Sequence, residues 1–160
     1  MRILVTGATG NVGRLVVDQL LGTGVEITTL PGYLPLAPND AMVKLYGGNA
    51  EKLVDPGDIN PDLGHRSGST DMGDLSQIMP TIHPYVVAAS GNGHGIDYIV
   101  EDYDLAVLTG AKAMAMTVID LLAHGAERAR NIKADYQAPH TKATYLALMR
   151  SMFEERAYTE

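Results

Sequence analysis

A chain of 160 residues with 46% apolar and 19% charged residues is long and hydrophobic enough to bury a core, which excludes a disordered composition. A net charge of −7 argues against an electrostatic nucleic-acid binder, which needs surplus Lys and Arg to neutralise phosphates. The absence of Cys excludes disulfides, thiolate zinc sites and a cysteine nucleophile.

No apolar run approaches the roughly 20 residues of a membrane helix. Gly7 and Gly10 break the opening apolar stretch too early for a signal peptide. The expectation is therefore no membrane, no nucleic acid and a cytoplasmic location. With eight Tyr, one Phe and no Trp, core volume must come from aliphatic side chains and Met.

In chain order, Ile3-Leu4-Val5 within residues 2–6 predicts a buried strand ended by Gly7. Residues 11–21 predict a helix, with Val12, Leu15, Val16, Gln19 and Leu20 at helical spacing and Gly22 as its stop. Residues 25–30 alternate as a second strand, and Pro31-Gly32 turns the chain. A helix is expected from Asn39-Asp40, which can cap it, to about Val54, with Gly47-Gly48 weakening its middle. Residues 56–69 read as loop, and Ser69 or Thr70 as the cap of a short helix through Met79. Residues 81–89 predict a strand interrupted by His83-Pro84, followed by a glycine-rich loop over 90–95.

The strongest element is a helix from Asp104 to about Ala134. Its expected buried stripe is Val107, Ala111, Met114, Val118, Leu121 and Leu122. Pro139 breaks the chain, and residues 141–156 predict a last helix with Tyr145, Leu148, Met149 and Met152 on its apolar face. Glu154-Glu155 would lie on a solvated face of that helix.

The segment Thr6-Gly7-Ala8-Thr9-Gly10-Asn11-Val12-Gly13 sits between a predicted strand and a predicted helix. In that context Gly7 permits a sharp turn, Gly10 lets backbone approach a pyrophosphate, and Gly13 lets helix pack on strand. Free N–H groups at the helix start then face the anion. The candidate cofactor-binding residues are Gly7, Thr9, Gly10, Asn11, Val12 and Gly13. Over residues 1–24 the chain resembles the atypical short-chain dehydrogenases, which implies NADP as a ligand. The position that should hold the ribose reads Thr29-Leu30-Pro31-Gly32, without an acid or Arg, and no Tyr has a Lys four residues later. The expectation is weak or absent NADP binding.

The rest of the chain carries a second set of motifs. These are residues 31–36 (Pro-Gly-Tyr-Leu-Pro-Leu), 63–76 (Leu-Gly-His-Arg-Ser-Gly-Ser-Thr-Asp-Met-Gly-Asp-Leu-Ser), 81–85 (Thr-Ile-His-Pro-Tyr) and 91–95 (Gly-Asn-Gly-His-Gly), with the helix over 111–122. In this order they resemble the C-terminal part of aminoacylase-type metallopeptidases, the amidohydrolases related to aminobenzoyl-glutamate hydrolase. The fold expected is α/β: part of an amidohydrolase catalytic-domain sheet with flanking helices over 25–160, preceded by one Rossmann-like βα unit over 1–24. Residues 25–30 could belong to either part.

The amidohydrolase resemblance implies two divalent metals, usually zinc, that polarise an amide carbonyl and activate water. It implies a small-molecule amide substrate of the N-acyl amino acid type. His94 matches the last metal ligand, and Gly93 and Gly95 would let the backbone turn its imidazole inward. Asp71 matches an acidic residue near the metal pocket, but a carboxylate favouring a helix N-terminus reads equally well. His83 is a candidate substrate-pocket residue or a hydrogen-bonded histidine within a strand. His65 and Arg66 are candidates for a substrate carboxylate or for a solvated loop. No His-x-Asp pair follows any of the five His, so a three- or four-ligand zinc site is not expected from this chain alone. The function implied is a remnant of an amidohydrolase, inactive by itself. The alternative is an NAD(P)-binding module. An apolar face left by missing parts implies self-association.

Overall fold

The computed structural model describes residues 2–6, 11–20, 23, 26–30, 32–60 and 70–157. The chain folds as mixed α/β in two compact units. One comprises Met1–Ala37, Gly68–Met79 and Ala138–Glu160, and the other Pro38–Ser67 and Pro80–Gln137.

The first unit opens with strand β1 (Arg2–Thr6), helix α1 (Asn11–Leu20) and strand β2 (Glu26–Leu30), close to the sequence expectation. β1 pairs with β2 in parallel, Arg2 opposite Glu26 and Thr6 opposite Leu30. A parallel pair needs a crossover, and the α1 segment supplies it. The third strand was not expected. The last helix, α5 (Lys142–Ser151), stops five residues short of residue 156, and Glu154–Ala157 forms β5, antiparallel to β2. Glu154 and Glu155 therefore stand opposite Thr29 and Thr28 rather than on a helix face. The free edge of β2 offers unpaired N–H and C=O groups, and pairing with them overrides local helix propensity.

Helix α3 (Asp71–Ser76) is the centre of this unit's polar packing. Thr70 caps it, its hydroxyl accepting from the Met72 N–H. Along one side lies the segment 32–37, which forms no helix or strand and so leaves its N–H and C=O groups without regular partners. α3 compensates with side chains. Asp74 Oδ1 accepts from the Leu34 N–H at 2.8 Å, Ser76 Oγ accepts from Ala37 N–H at 2.9 Å, and Gln77 Nε2 donates to the Pro35 carbonyl at 2.7 Å. Ser76 is fully buried and also donates to the Gly73 carbonyl at 2.6 Å. Gly73 is the point of closest approach, since a Cβ there would stand 1.9 Å from the Leu34 carbonyl oxygen. From α5, the Tyr145 phenol hydrogen-bonds to Asp74, and burial together with that carboxylate raises its pKa above the ordinary tyrosine value.

In the second unit, helix α2 (Asp40–Ala50) is capped as expected, with Asn39 Oδ1 accepting from Met42 N–H at 3.0 Å. The predicted strand over 81–89 is instead extended chain without a ladder. Only Ala89–Ser90 (β3) pairs, antiparallel to Ile99–Val100 (β4). Pro84 removes a ladder donor, and Thr81 spends its carbonyl on the Asn39 N–H at 2.9 Å.

The long helix begins as a π-helical turn (Asp104–Thr109) and continues as α4 (Gly110–Asp135). It is not continuous. Ala123 is extended, and His124, Gly125 and Ala126 have φ of 50°, 69° and 61°, so a left-handed turn separates two helical stretches. The Arg130 guanidinium donates to the Gly125 carbonyl across the bend.

The expected stripe is also wrong. Val107, Ala111, Met114, Val118 and Leu122 are exposed and Leu121 is half-buried, while the buried residues are Ala113 and Thr117. Polar pairing chose this face. Asn49 of α2, 2% exposed, donates through Nδ2 to Asp120 Oδ2 at 2.8 Å and Thr117 Oγ1 at 3.3 Å. A buried amide must find partners, and Thr117 and Asp120 on this face of α4 supply them.

By length and composition, Asp104–Asp135 is long and apolar enough to cross a membrane, whereas no apolar run was expected to reach that length. Lys112 and Asp120 interrupt it, and Asp120 is bonded to Asn49.

Candidate functional site

The candidate sites fall in separate places. The phosphate-type turn lies largely outside the described residues: this holds for Gly7, Thr9 and Gly10, while Asn11, Val12 and Gly13 form the first turn of α1. His65 and Arg66 also lie outside the described residues.

Asp71 is the first residue of α3 and exposed, and its Oδ1 accepts from the Thr70 hydroxyl at 3.0 Å. A carboxylate there stabilises the positive end of the helix. His83 is half-buried and packs against Tyr85, with the rings tilted at 45° and their centroids 4.9 Å apart. Its Nδ1 is buried without a hydrogen-bond partner.

His94 sits in the loop joining β3 to β4. Asp97 organises this loop: its Oδ2 accepts from Asn92 N–H at 3.3 Å and from Asn92 Nδ2 at 3.2 Å. The Gly95 N–H donates to the Asn92 carbonyl at 2.7 Å. Gly91, at φ 86°, passes so close to Asp97 that a Cβ would stand 2.2 Å from its carbonyl oxygen. His94 itself is left-handed at φ 65° and exposed. The glycines thus shape a turn that presents the imidazole to solvent rather than folding it inward. Asp97 was not singled out in the sequence, although its five-residue spacing from Asn92, across glycines, is the pattern of a side chain closing a loop.

Zinc needs three or four side-chain ligands drawn together. Among the described residues, no group of three or more His, Asp or Glu is close enough to hold a metal ion. His94 contributes one nitrogen and no neighbouring set, so these residues do not fit a zinc centre.

Sequence reasoning also missed a polar seam between α2 and α4. Lys52 Nζ donates to Asn49 Oδ1 at 3.0 Å, and Asn49 passes the chain of hydrogen bonds to Asp120 and Thr117. Asn49 directly after Gly47-Gly48, and Asp120 within an apolar helix, were the available signals. A cavity of about 520 Å³ opens beside this seam.

Comparison with known proteins finds a distant similarity to a dipeptidase. The chain is distantly homologous to Xaa-Arg dipeptidase. It is 32% identical over 96 residues to the Homo sapiens protein, covering 56% of this chain and 22% of that protein. With the Mus musculus protein the identity is 34% over 96 residues, with the same coverage. The matched segment thus spans about a fifth of the curated relatives' length, at 22%. No protein-family profile matches the chain, and no solved structure matches it.

Proposed function

We propose that this chain derives from a metal-dependent amidohydrolase that cleaves the amide bond of a dipeptide or N-acyl amino acid, and that it does not perform this reaction alone. The supporting observation is the 96-residue similarity to Xaa-Arg dipeptidase. In the parent enzyme His94 supplies one zinc ligand, and Asp71 and His83 belong to the neighbourhood of the substrate. Residues 1–24 come from a different class of protein.

In this chain His94 is an exposed side chain without companion ligands among the described residues, so no hydrolytic step is derived for it. Exposed apolar side chains such as Met114, Val118 and Leu122 support self-association. The test is calorimetric zinc titration of the purified chain beside His94→Ala, with hydrolysis assays on an Xaa-Arg dipeptide and on aminobenzoyl-glutamate. The expected result is zinc binding no tighter than a surface histidine gives, and no turnover. Stoichiometric binding lost in the variant, accompanied by turnover, would overturn the proposal.

A second reading is a dinucleotide-binding module, supported by the parallel pairing of β1 and β2 on either side of α1. NADPH fluorescence titration checks it. Weak or absent binding is expected, and a low-micromolar affinity abolished by Gly10→Arg would promote this reading over the first.

A further inference from the structure

We infer that the outward face of the first helical stretch of α4 is where a second copy of this chain docks, as an antiparallel helix pair about a twofold axis. This gives the self-association proposed above a surface and a geometry. It rests on that part of the reading alone and not on amidohydrolase descent.

At about 100° per residue, Ala111, Met114, Ala115, Val118, Ile119 and Leu122 fall within one arc of about 140° on α4. All six are exposed, and no charged residue lies inside the arc. The opposite side is already occupied: Ala113 and Thr117 are buried there, and Asp120 is bonded to Asn49 of α2. A helix that is apolar on its free side as well as its packed side belongs in the interior of something larger. The stripe that helical periodicity marks for burial is then buried between two copies.

The area agrees. Among the described residues, only Ala88 and Ala113 are apolar and buried. The chain exposes 11365 Å², whereas a compact monomer of 17.1 kDa exposes roughly 7,800 Å². The surplus of about 3,600 Å² is several times the roughly 800 Å² that each partner covers in a standard interface.

A bilayer is the other apolar medium such a helix could meet. Crossing one would carry Lys112 and Asp120, with the α2 side chains Asn49 and Lys52 bonded behind it, into hydrocarbon. Lying on one calls for a border of cations, yet Lys112 alone borders the arc, and a net charge of −7 is repelled by anionic headgroups.

The face also complements itself. In an antiparallel pair with its twofold midway between residues 116 and 117, Ala111 stands level with the second copy's Leu122, and Ala115 with the second copy's Val118. Each small residue meets a large one, the arrangement by which facing helices interdigitate. A parallel pair would set alanine against alanine and bring the two Lys112 side by side. The antiparallel pair separates those lysines by about 13 Å along the axis.

The experiment is sedimentation of the full chain over a concentration series. A reversible monomer–dimer equilibrium is expected, with a melting temperature that rises with concentration. Val118→Lys alters an exposed side chain beside the twofold and should weaken the dimer about a hundredfold or more. Its circular dichroism and its concentration-independent melting show that the monomer still folds. Because the chain holds no Cys, single cysteines report orientation. Mild oxidation of Ala111→Cys chains mixed with Leu122→Cys chains should give the mixed disulfide in preference to either symmetric one. A parent that stays monomeric to its highest soluble concentration overturns both this inference and the self-association reading. A dimer that Val118→Lys leaves unweakened keeps that reading and overturns this surface. Binding of the parent but not of Val118→Lys to phosphatidylcholine vesicles assigns the face to lipid and overturns the inference as well.

Discussion

Helix α3 and the glycine loop carry two motifs of the same resemblance, yet they fold in opposite ways. In Met72-Gly73-Asp74-Leu75-Ser76 the conspicuous polar residues turn inward, and Asp74 and Ser76 are consumed by the backbone of residues 34 and 37. In Gly91-Asn92-Gly93-His94-Gly95 the polar scaffold is Asn92 with Asp97, and His94 is left over, exposed to solvent. The difference teaches that a motif marks two kinds of constraint. The first motif holds a segment that forms no helix or strand and so lacks regular backbone partners. The second presents a side chain that takes no part in holding the fold.

The sharpest way to break this contrast is at glycine. Gly73→Val would drive a side chain into the Leu34 carbonyl, 1.9 Å from the ideal Cβ position. The expected cost is about 3 kcal/mol or more, read from urea denaturation. Gly93, where a Cβ meets nothing within 4 Å, should accept Ala with a change of about 0.5 kcal/mol or less. Equal losses at both positions would mean that the loop is as tightly built as α3.

Ser76→Ala removes a fully buried hydroxyl that both accepts from Ala37 and donates to Gly73. The expected loss is about 1–3 kcal/mol, because the Ala37 N–H loses its partner. His94→Gly should instead stabilise slightly, by about 1 kcal/mol at most. Relief of the left-handed φ of 65° is partly offset by the greater unfolded-state freedom of glycine. A marked loss of stability on that change would show that the imidazole is structural.

The smallest effect is confined to high pH. The Tyr145 pKa is raised by burial and then by Asp74, so the folded state holds its proton more tightly than the unfolded chain. The contribution is fully present below about pH 10, the ordinary tyrosine value, and is lost as pH rises above it. Denaturation midpoints between pH 8 and 11 should therefore fall less steeply for Tyr145→Phe than for the parent. Parallel curves would remove Asp74 as a partner of α5.

The legible parts of the sequence were those with local causes. Residues 2–6, 11–20 and 26–30 form the elements their patterns predict, and Asn39 and Thr70 cap helices as expected. An Asn, Ser or Thr before a helical run carries its own partner within three residues. The illegible parts depended on a partner far along the chain. Nothing local marks Glu154–Ala157 as a strand, since its ladder comes from β2, more than a hundred residues earlier in the sequence.

The face of α4 is the clearest case. Helical periodicity identified a stripe around Met114 and Val118, but periodicity reports only which residues share a side. The side that became buried, Ala113 and Thr117, was selected by Asn49 and its need for partners in a dry place. Likewise the sequence marked His94 as a chemically distinctive residue in a glycine-rich turn. Its exposure followed from Asp97 closing the loop on Asn92. Sequence by itself determined composition, local caps, the opening strands and helix, and a detectable kinship with a dipeptidase. Tertiary structure alone decided which polar groups were spent on the backbone and which remained free, because that choice depends on distances between residues that the chain separates and the fold brings together.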